Sequence, residues 1–374
     1  MAATERFTAL DVFRGMTVCF MIIVNTPGNG ATSFSPLQHA HWHGFTPTDL
    51  VFPSFLFAVG NAMSFAMLKW SALSTSQVWV KILKRTVIIF LLGFLMYWFP
   101  FVHWNEAHQL EVSPFSSTRV FGVLQRIALA YCAASFIVYY CKPKTAAIIG
   151  AVLLLLYWLL LYWPVVDGDP LGMMSNNGTR LDKWLLADSH LYHGEGVPFD
   201  PEGLLSTLPS IVNVLCGYLV GKFLQQKGKT WEVLSQLLLA GFALITIAYF
   251  WDLVLPINKK LWTSSFVLYT VGLDCIILSA VIYIIDFKKR TKWNYFFEVF
   301  GRNPLFIYLL SEIGATLLYF FRANKDESVY RWLFNHVFSH AGMYVGSLFF
   351  AICFMLLCWL VGYWMDKKKI YVRV

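Results

Sequence analysis

Residues 37–60, LQHAHWHGFTPTDLVFPSFLFAVG, place three histidines, a tryptophan and a carboxylate on the rim of an uncharged apolar run. They closely follow another apolar run, which ends at Asn25. A rim of His39, His41, Trp42, His43 and Asp49 leading into about twenty apolar residues is the pattern of a polar loop entering a transmembrane helix. Such a loop can hold reactive groups in water while a second reactant sits in the bilayer.

Composition extends this reading to the whole chain. Of 374 residues, 58% are hydrophobic and 13% charged, and the apolar residues come in long runs, not in the amphipathic patterns of a soluble core. Runs of membrane-crossing length fall at about 10–28, 49–68, 82–100, 119–141, 146–166, 205–225, 231–251, 262–285, 296–321 and 343–365. The expected fold is therefore an all-α polytopic membrane protein with about ten spans, forming a single domain over residues 1–374. Every second connection is basic: Lys69, Lys81, Lys84 and Arg85; Lys142 and Lys144; Lys222, Lys227 and Lys229; Lys288, Lys289, Arg290 and Lys292; Lys367, Lys368, Lys369 and Arg373. Cytoplasmic loops retain Lys and Arg, so both termini are expected in the cytoplasm and the histidine loop outside. The net charge of +8 follows from this bias and from contact with anionic lipid, and no nucleic acid is expected.

The seven cysteines lie within or beside the spans with no CxxC pair, and read as small buried hydrophobes. Asp11 and Arg14 in the first apolar run argue against a cleavable signal. One long connection, at about 167–204, is rich in Gly, Pro and Asp and reads as an ordered external loop without long helices. A shorter one, at about 321–342, has the spacing of an interfacial helix.

Ionisable residues inside apolar runs are costly unless they meet a partner or a cavity. Arg14, Arg126, Asp274, Arg302 and Glu312 are therefore candidates. Arg14 stands three residues from Asp11 and has two readings, a local pair or an anion contact. Arg126, beside Gln125, lines a polar cavity or pairs with a group such as Asp274. Arg302, followed by Asn303, sits where a phosphate arrives from the cytoplasm, or snorkels to headgroups. The three histidines share a face only in an extended segment, and neither HExxH nor a cysteine accompanies them, so no metal is expected.

Six ordered strings, RFTALDVFRGMTVCFMIIVN, HAHWHGFTPTDLVFPSFLFAVG, GVLQRIALAY, FDPEGLLSTLPSIVNVLCGYLVG, NKKLWTSSFVLYTVG and GRNPLFIYLLSE, give the chain a resemblance to the heparan-alpha-glucosaminide N-acetyltransferase family through nearly its whole length. The resemblance implies transfer of acetyl from cytoplasmic acetyl-CoA to a glucosamine amine across the membrane, and a homodimer. His39 matches the family's active-site histidine, and Asn25 the asparagine that ends its first span. The chain departs from the lysosomal enzyme in lacking its large luminal N-terminal domain, in a longer loop between Asn25 and His39, and in His41 and His43 replacing serine and asparagine. A bacterial inner-membrane enzyme is the expectation.

The chemistry suits these residues. Amine attack on a thioester needs a base, and a histidine titrating near neutrality provides one, which assigns His39. Charge developing on the thioester oxygen needs a donor, which assigns Asn25. Asp49 either orients the imidazole, holds the sugar amine, or caps its helix. Arg14, Arg126, Gln125, Arg302 and Asn303 are the expected acetyl-CoA contacts, and Trp42, His41 and His43 the expected sugar contacts. The competing reading is a multi-pass transporter of a small polar or anionic solute.

Overall fold

The computed structural model describes residues 7–164 and 167–372; Arg373, counted above among the basic groups, lies outside them. Thirteen α-helices are found there: α1 Thr8–Asn25, α2 Val51–Trp70, α3 Thr75–Trp98, α4 Val123–Tyr140, α5 Pro143–Tyr162, α6 Asn177–Leu186, α7 Thr207–Lys227, α8 Trp231–Asp252, α9 Ser264–Ile282, α10 Asn294–Arg302, α11 Pro304–Phe320, α12 Val329–Leu333 and α13 Met343–Lys367. The sheet among the described residues is one hairpin, Val102–Trp104 against Leu110–Val112. The fold is an all-α multi-pass membrane protein.

Eight helices are long and apolar enough to cross a bilayer. The other two expected spans differ from simple rods for stated reasons. α3 has the length, 24 residues, but Lys81, Lys84 and Arg85 load its first half with charge. The run at 296–321 is broken, with α10 and α11 meeting at 83°. The break falls at Asn303–Pro304, where proline lacks the N–H that a continuous helix needs. Asn303 fixes the corner by donating from Nδ2 to the Ile370 carbonyl (3.0 Å) and accepting from the Val372 amide (2.9 Å).

Local signals set the remaining boundaries. Ser74 and Gln77 form a reciprocal capping box at the start of α3, Thr230 caps α8 and Pro143 opens α5. Close helix approach replaces hydrophobic drive inside the bilayer. At the α2/α7 contact, a Cβ on Gly60 would strike the Val214 carbonyl and one on Gly217 the Phe57 carbonyl. α5 and α8 turn apolar side chains outward, including Leu155, Leu159, Leu239 and Phe250, as lipid-facing helices must.

The connections after α1, α3, α5, α8 and α11 gather at one end and hold each other. Trp42 Nε1 donates to the Leu171 carbonyl (3.1 Å), Trp104 Nε1 to the Phe320 carbonyl (2.9 Å), and the Gly44 amide to the Ile257 carbonyl (2.8 Å). The 167–204 connection contains the short α6, capped by Asn176. The 321–342 connection contains α12, continued by a wider turn over Phe334–Phe338.

Candidate active site

The histidine loop folds around a buried carboxylate. Asp49 is fully buried, and Oδ2 accepts from the Ala40 amide (3.1 Å), the Thr46 amide (2.9 Å) and Thr46 Oγ1 (3.1 Å). Burying a carboxylate costs several kcal/mol unless such donors replace water. Oδ1 is left for His39, whose Nδ1 lies 2.7 Å away. Thr48 Oγ1 fastens the turn to the Pro36 carbonyl (3.0 Å). The same Asp49 caps the turn that enters α2 and contacts the imidazole, so both interactions exist in one geometry.

His39 faces a cavity of about 320 Å³, also lined by Asn25, Tyr97, Arg119, Tyr192, Glu195, Glu202, Lys259, Lys260, Tyr308 and Glu312. Asn25, the last residue of α1, donates from Nδ2 to Glu312 Oε1 on α11 (3.2 Å). That bond occupies one of its two amide hydrogens and fixes the plane of the other. The imidazole is held below the ordinary histidine range, chiefly by burial, with Lys259 acting in the same sense against the Asp49 carboxylate. Burial thus favours the neutral form of the ring.

The far wall is an ion network. Arg119, just before α4, grips Asp200 through Nε (2.9 Å) and Nη2 (2.6 Å) and Glu202 through Nη2 (2.5 Å). Its guanidinium lies between the rings of Tyr97 and Tyr192, 4.8 and 4.6 Å from their centroids. Burial alone would raise the Glu202 carboxyl, but Arg119, Arg126 and Lys259 outweigh it and hold it below its usual range. Lys260 pairs with Glu195 at 2.6 Å.

The expected contacts distribute unevenly. Arg126 is fully buried, donates to Ser206 Oγ and to the Gly203 carbonyl, and stacks 4.8 Å from the Trp262 ring. It ties α4 to the loop before α7. Asp274, considered as its partner, instead accepts from Ser54 Oγ. Gln125 is buried beside it, with no partner for its amide among the described residues. Arg302 is clamped between Glu298 (2.6 Å) and Asp366 (2.5 Å), so both it and Asn303 brace the α10/α11 corner. Arg14 bonds Asp11 (2.8 Å) and the Gly301 carbonyl, and lines a second cleft of about 80 Å³ with Arg85, Ile89, Tyr131 and Pro304. Trp42 packs on Phe199 and joins two loops, His43 Nδ1 lies 3.4 Å from Asn258 Nδ2, and His41 is exposed. None of these three side chains lines the cavity that holds His39. No group of three or more His, Cys, Asp or Glu side chains converges as a metal site among the described residues.

Four site residues escape a reading of the sequence: Arg119, Glu202, Lys259 and Lys260. For Glu202, Lys259 and Lys260 the signal is ionisable groups concentrated in FDPEG, at the end of the 167–204 connection, and NKKLW, each next to a helix start; Arg119 stands alone just before α4.

Comparison with known proteins agrees with this architecture. Residues 6–249 match a family model described as "Heparan-alpha-glucosaminide N-acetyltransferase, catalytic". The chain is 26% identical over 385 aligned positions to the human heparan-alpha-glucosaminide N-acetyltransferase, covering 88% of this chain and 56% of that protein. It is 24% identical to the mouse protein of the same name over 427 positions, covering 100% of this chain and 61% of the mouse protein. It thus spans less than two thirds of the length of these curated relatives. The histidine loop, Asn25, the Arg119 network up to Glu202 and most of the helices around them fall within the matched residues, and the chain belongs to the heparan-alpha-glucosaminide N-acetyltransferase catalytic family.

Proposed function

We propose that the protein is a transmembrane N-acetyltransferase, moving acetyl from acetyl-CoA on the cytoplasmic side to the amine of a glucosamine-type sugar on the opposite side. The observation that carries this reading is the convergence of Asn25 and the Asp49-oriented His39 on one cavity at the loop end of the helices. The relatives' names, heparan-alpha-glucosaminide N-acetyltransferase, support the acetyl transfer to a glucosaminide.

Each residue has a task. Asp49 takes the Nδ1 hydrogen, which leaves Nε2 to accept the proton of the attacking amine. The Asn25 amide hydrogen not given to Glu312 is available to the carbonyl oxygen as it gains charge. The ion network of Arg119, Asp200 and Glu202 shapes the opposite wall, where polar groups suit a sugar.

A route for the donor is supported by the second cleft. Residues of the same five helices, α1, α2, α3, α4 and α11, line both it and the cavity. Arg14 and Asn25 are eleven residues apart on α1, which places them on one face about 16 Å apart. The guanidiniums of Arg14 and Arg85 suit the nucleotide phosphates of acetyl-CoA, and the apolar walls suit its pantetheine arm. Arg85 thus takes the part first expected of Arg302. In this reading that end faces the cytoplasm, as the basic connections favour, and His39 faces the periplasm of a bacterial inner membrane.

The test is release of free CoA thiol by purified protein in lipid nanodiscs, followed as glucosamine is added, with acetylated sugar identified by mass spectrometry. Sugar-dependent release that is lost in His39→Ala is expected. Release independent of sugar, or unchanged in His39→Ala, contradicts the proposal.

A further inference from the structure

Acyl transfer from a thioester has two proton problems, and His39 answers only one. The amine must lose a proton as the C–N bond forms, and the sulfur must be stabilised as the C–S bond breaks. An alkyl thiolate is a moderately basic leaving group, with a thiol pKa of roughly 8.5. A proton donor near the sulfur therefore lowers the second barrier.

Lys259 is a proton-bearing group beside the proposed base, on the wall of the same cavity. Its Nζ lies 3.1 Å from His39 Nε2 and 3.3 Å from Nδ1, on the cavity wall. The turn between α8 and α9 is built to hold it there. Asn258 is fully buried, its Oδ1 accepts from the Leu261 amide (2.8 Å), and its own amide donates to Thr263 Oγ1 (3.1 Å). The bond from the Gly44 amide to the Ile257 carbonyl staples this turn to the histidine loop.

The geometry assigns Lys259 the role of general acid in the transfer, protonating the departing thiolate and recovering its proton from His39. This assignment rests on the acetyltransferase reading of the cavity. The steps balance without a further reactant. The amine nitrogen forms the bond to carbon and passes its proton to His39 Nε2. The C–S electron pair goes to sulfur, which takes a proton from Lys259 Nζ. The imidazolium then returns its proton to the neutral lysine across the 3.1 Å contact, and both groups are reset. An imidazolium beside an ammonium favours the lysine's release of its proton at the moment the thiolate forms.

The charged groups around Lys259 are His39 and Asp49 of the histidine loop, Glu202 of the loop before α7, Lys260 on its own turn and Arg126 of α4. Burial, together with Lys260 and Arg126, holds the ammonium below the ordinary lysine range against Glu202 and Asp49. Wild-type turnover should therefore fall at high pH as Lys259 loses its proton.

The experiment measures kcat and KM for acetyl-CoA across pH with wild type, Lys259→Met and Lys259→Arg, each checked for monodisperse elution and CoA binding. Lys259→Met should lower kcat about 10²–10⁴-fold, leave KM for acetyl-CoA within a few-fold, and abolish the basic limb of the pH profile. Lys259→Arg keeps the charge but holds its proton too tightly to give it up, so it should not restore kcat. Wild-type kcat in either variant, a loss confined to KM, or a basic limb persisting in Lys259→Met would overturn the assignment while leaving the acetyltransferase reading intact. A wild-type protein that transfers no acetyl would take both down.

Discussion

Asp49 Oδ1 lies 2.7 Å from His39 Nδ1, and the other oxygen of the same carboxylate holds the backbone turn that carries the histidine. One buried group thus fixes both the tautomer of the imidazole and its place in the cavity. Asp49→Asn keeps the shape but offers an amide that can donate to Nδ1 and turn the imidazole to the wrong tautomer. It should lower kcat about 10³–10⁴-fold with little change in KM for acetyl-CoA, as steady-state kinetics would register. A loss below tenfold would reduce Asp49 to a helix cap.

The pH dependence has a definite sign. Burial and Lys259 hold the His39 imidazole below its ordinary value of 6.5, so the neutral base persists into mildly acidic solution and kcat/KM should fall only beneath that value. Removing the lysine charge should move the acidic limb upward, toward the ordinary value. An acidic limb in Lys259→Met at or below that of wild type would contradict this electrostatic account.

Asn25 is assigned to the thioester oxygen through the amide hydrogen that Glu312 leaves available. Asn25→Ala should cost about 10²–10³-fold in kcat, the usual loss for one oxyanion donor. Glu312→Gln, which can turn its own amide toward Asn25, should give a smaller loss with the same KM. Equal KM increases in both variants, with kcat retained, would make the pair a binding element.

Arg119 holds the loop before α7 through two carboxylates, and removal of one member of a buried ion network costs about 3–5 kcal/mol. Arg119→Met should therefore loosen the 167–204 connection, seen as faster cleavage there by a protease added from the loop side. An unchanged digestion pattern would show that the loop is held by other contacts.

Asp182 in α6 lies outside the spans, and burial raises its carboxyl to about 7, against the bond from the Leu204 amide. Since the folded value exceeds the unfolded one, its contribution to stability is greatest in acid and declines as pH rises toward 7. Asp182→Asn should raise the apparent Tm most at pH 8.5, by less at pH 5.5, and leave it nearly unchanged only below the unfolded carboxyl value of 3.8. The reverse ordering would contradict the sign.

Much of this architecture is legible in the chain because a bilayer imposes one length on each crossing element. Nine of the ten apolar runs coincide with helices to within about four residues, while α3 begins seven residues before its run because its first turns carry charge; the ninth run is broken at Asn303–Pro304, where proline cannot continue a hydrogen-bonded helix. His39 and Asn25 are legible too, as polar groups at the ends of apolar runs. The rest of the cavity is not. Lys259 is 220 positions from His39, and Arg119 is 81 from Asp200, so their meeting depends on how the connections fold over one another. Arg302 is misleading for the same reason: its carboxylate partner Asp366 is 64 residues away, and no local pattern announces the pair.

Acetyl transfer across sealed vesicles reconstituted with oriented protein tests the central claim most directly. Acetyl-CoA is supplied only on the side of the basic connections and glucosamine only on the side of His39. The account predicts free CoA on the first side and N-acetylated sugar on the second, both abolished in His39→Ala. Acetylation that occurs only when both substrates share one side, or that survives the loss of His39, would contradict it.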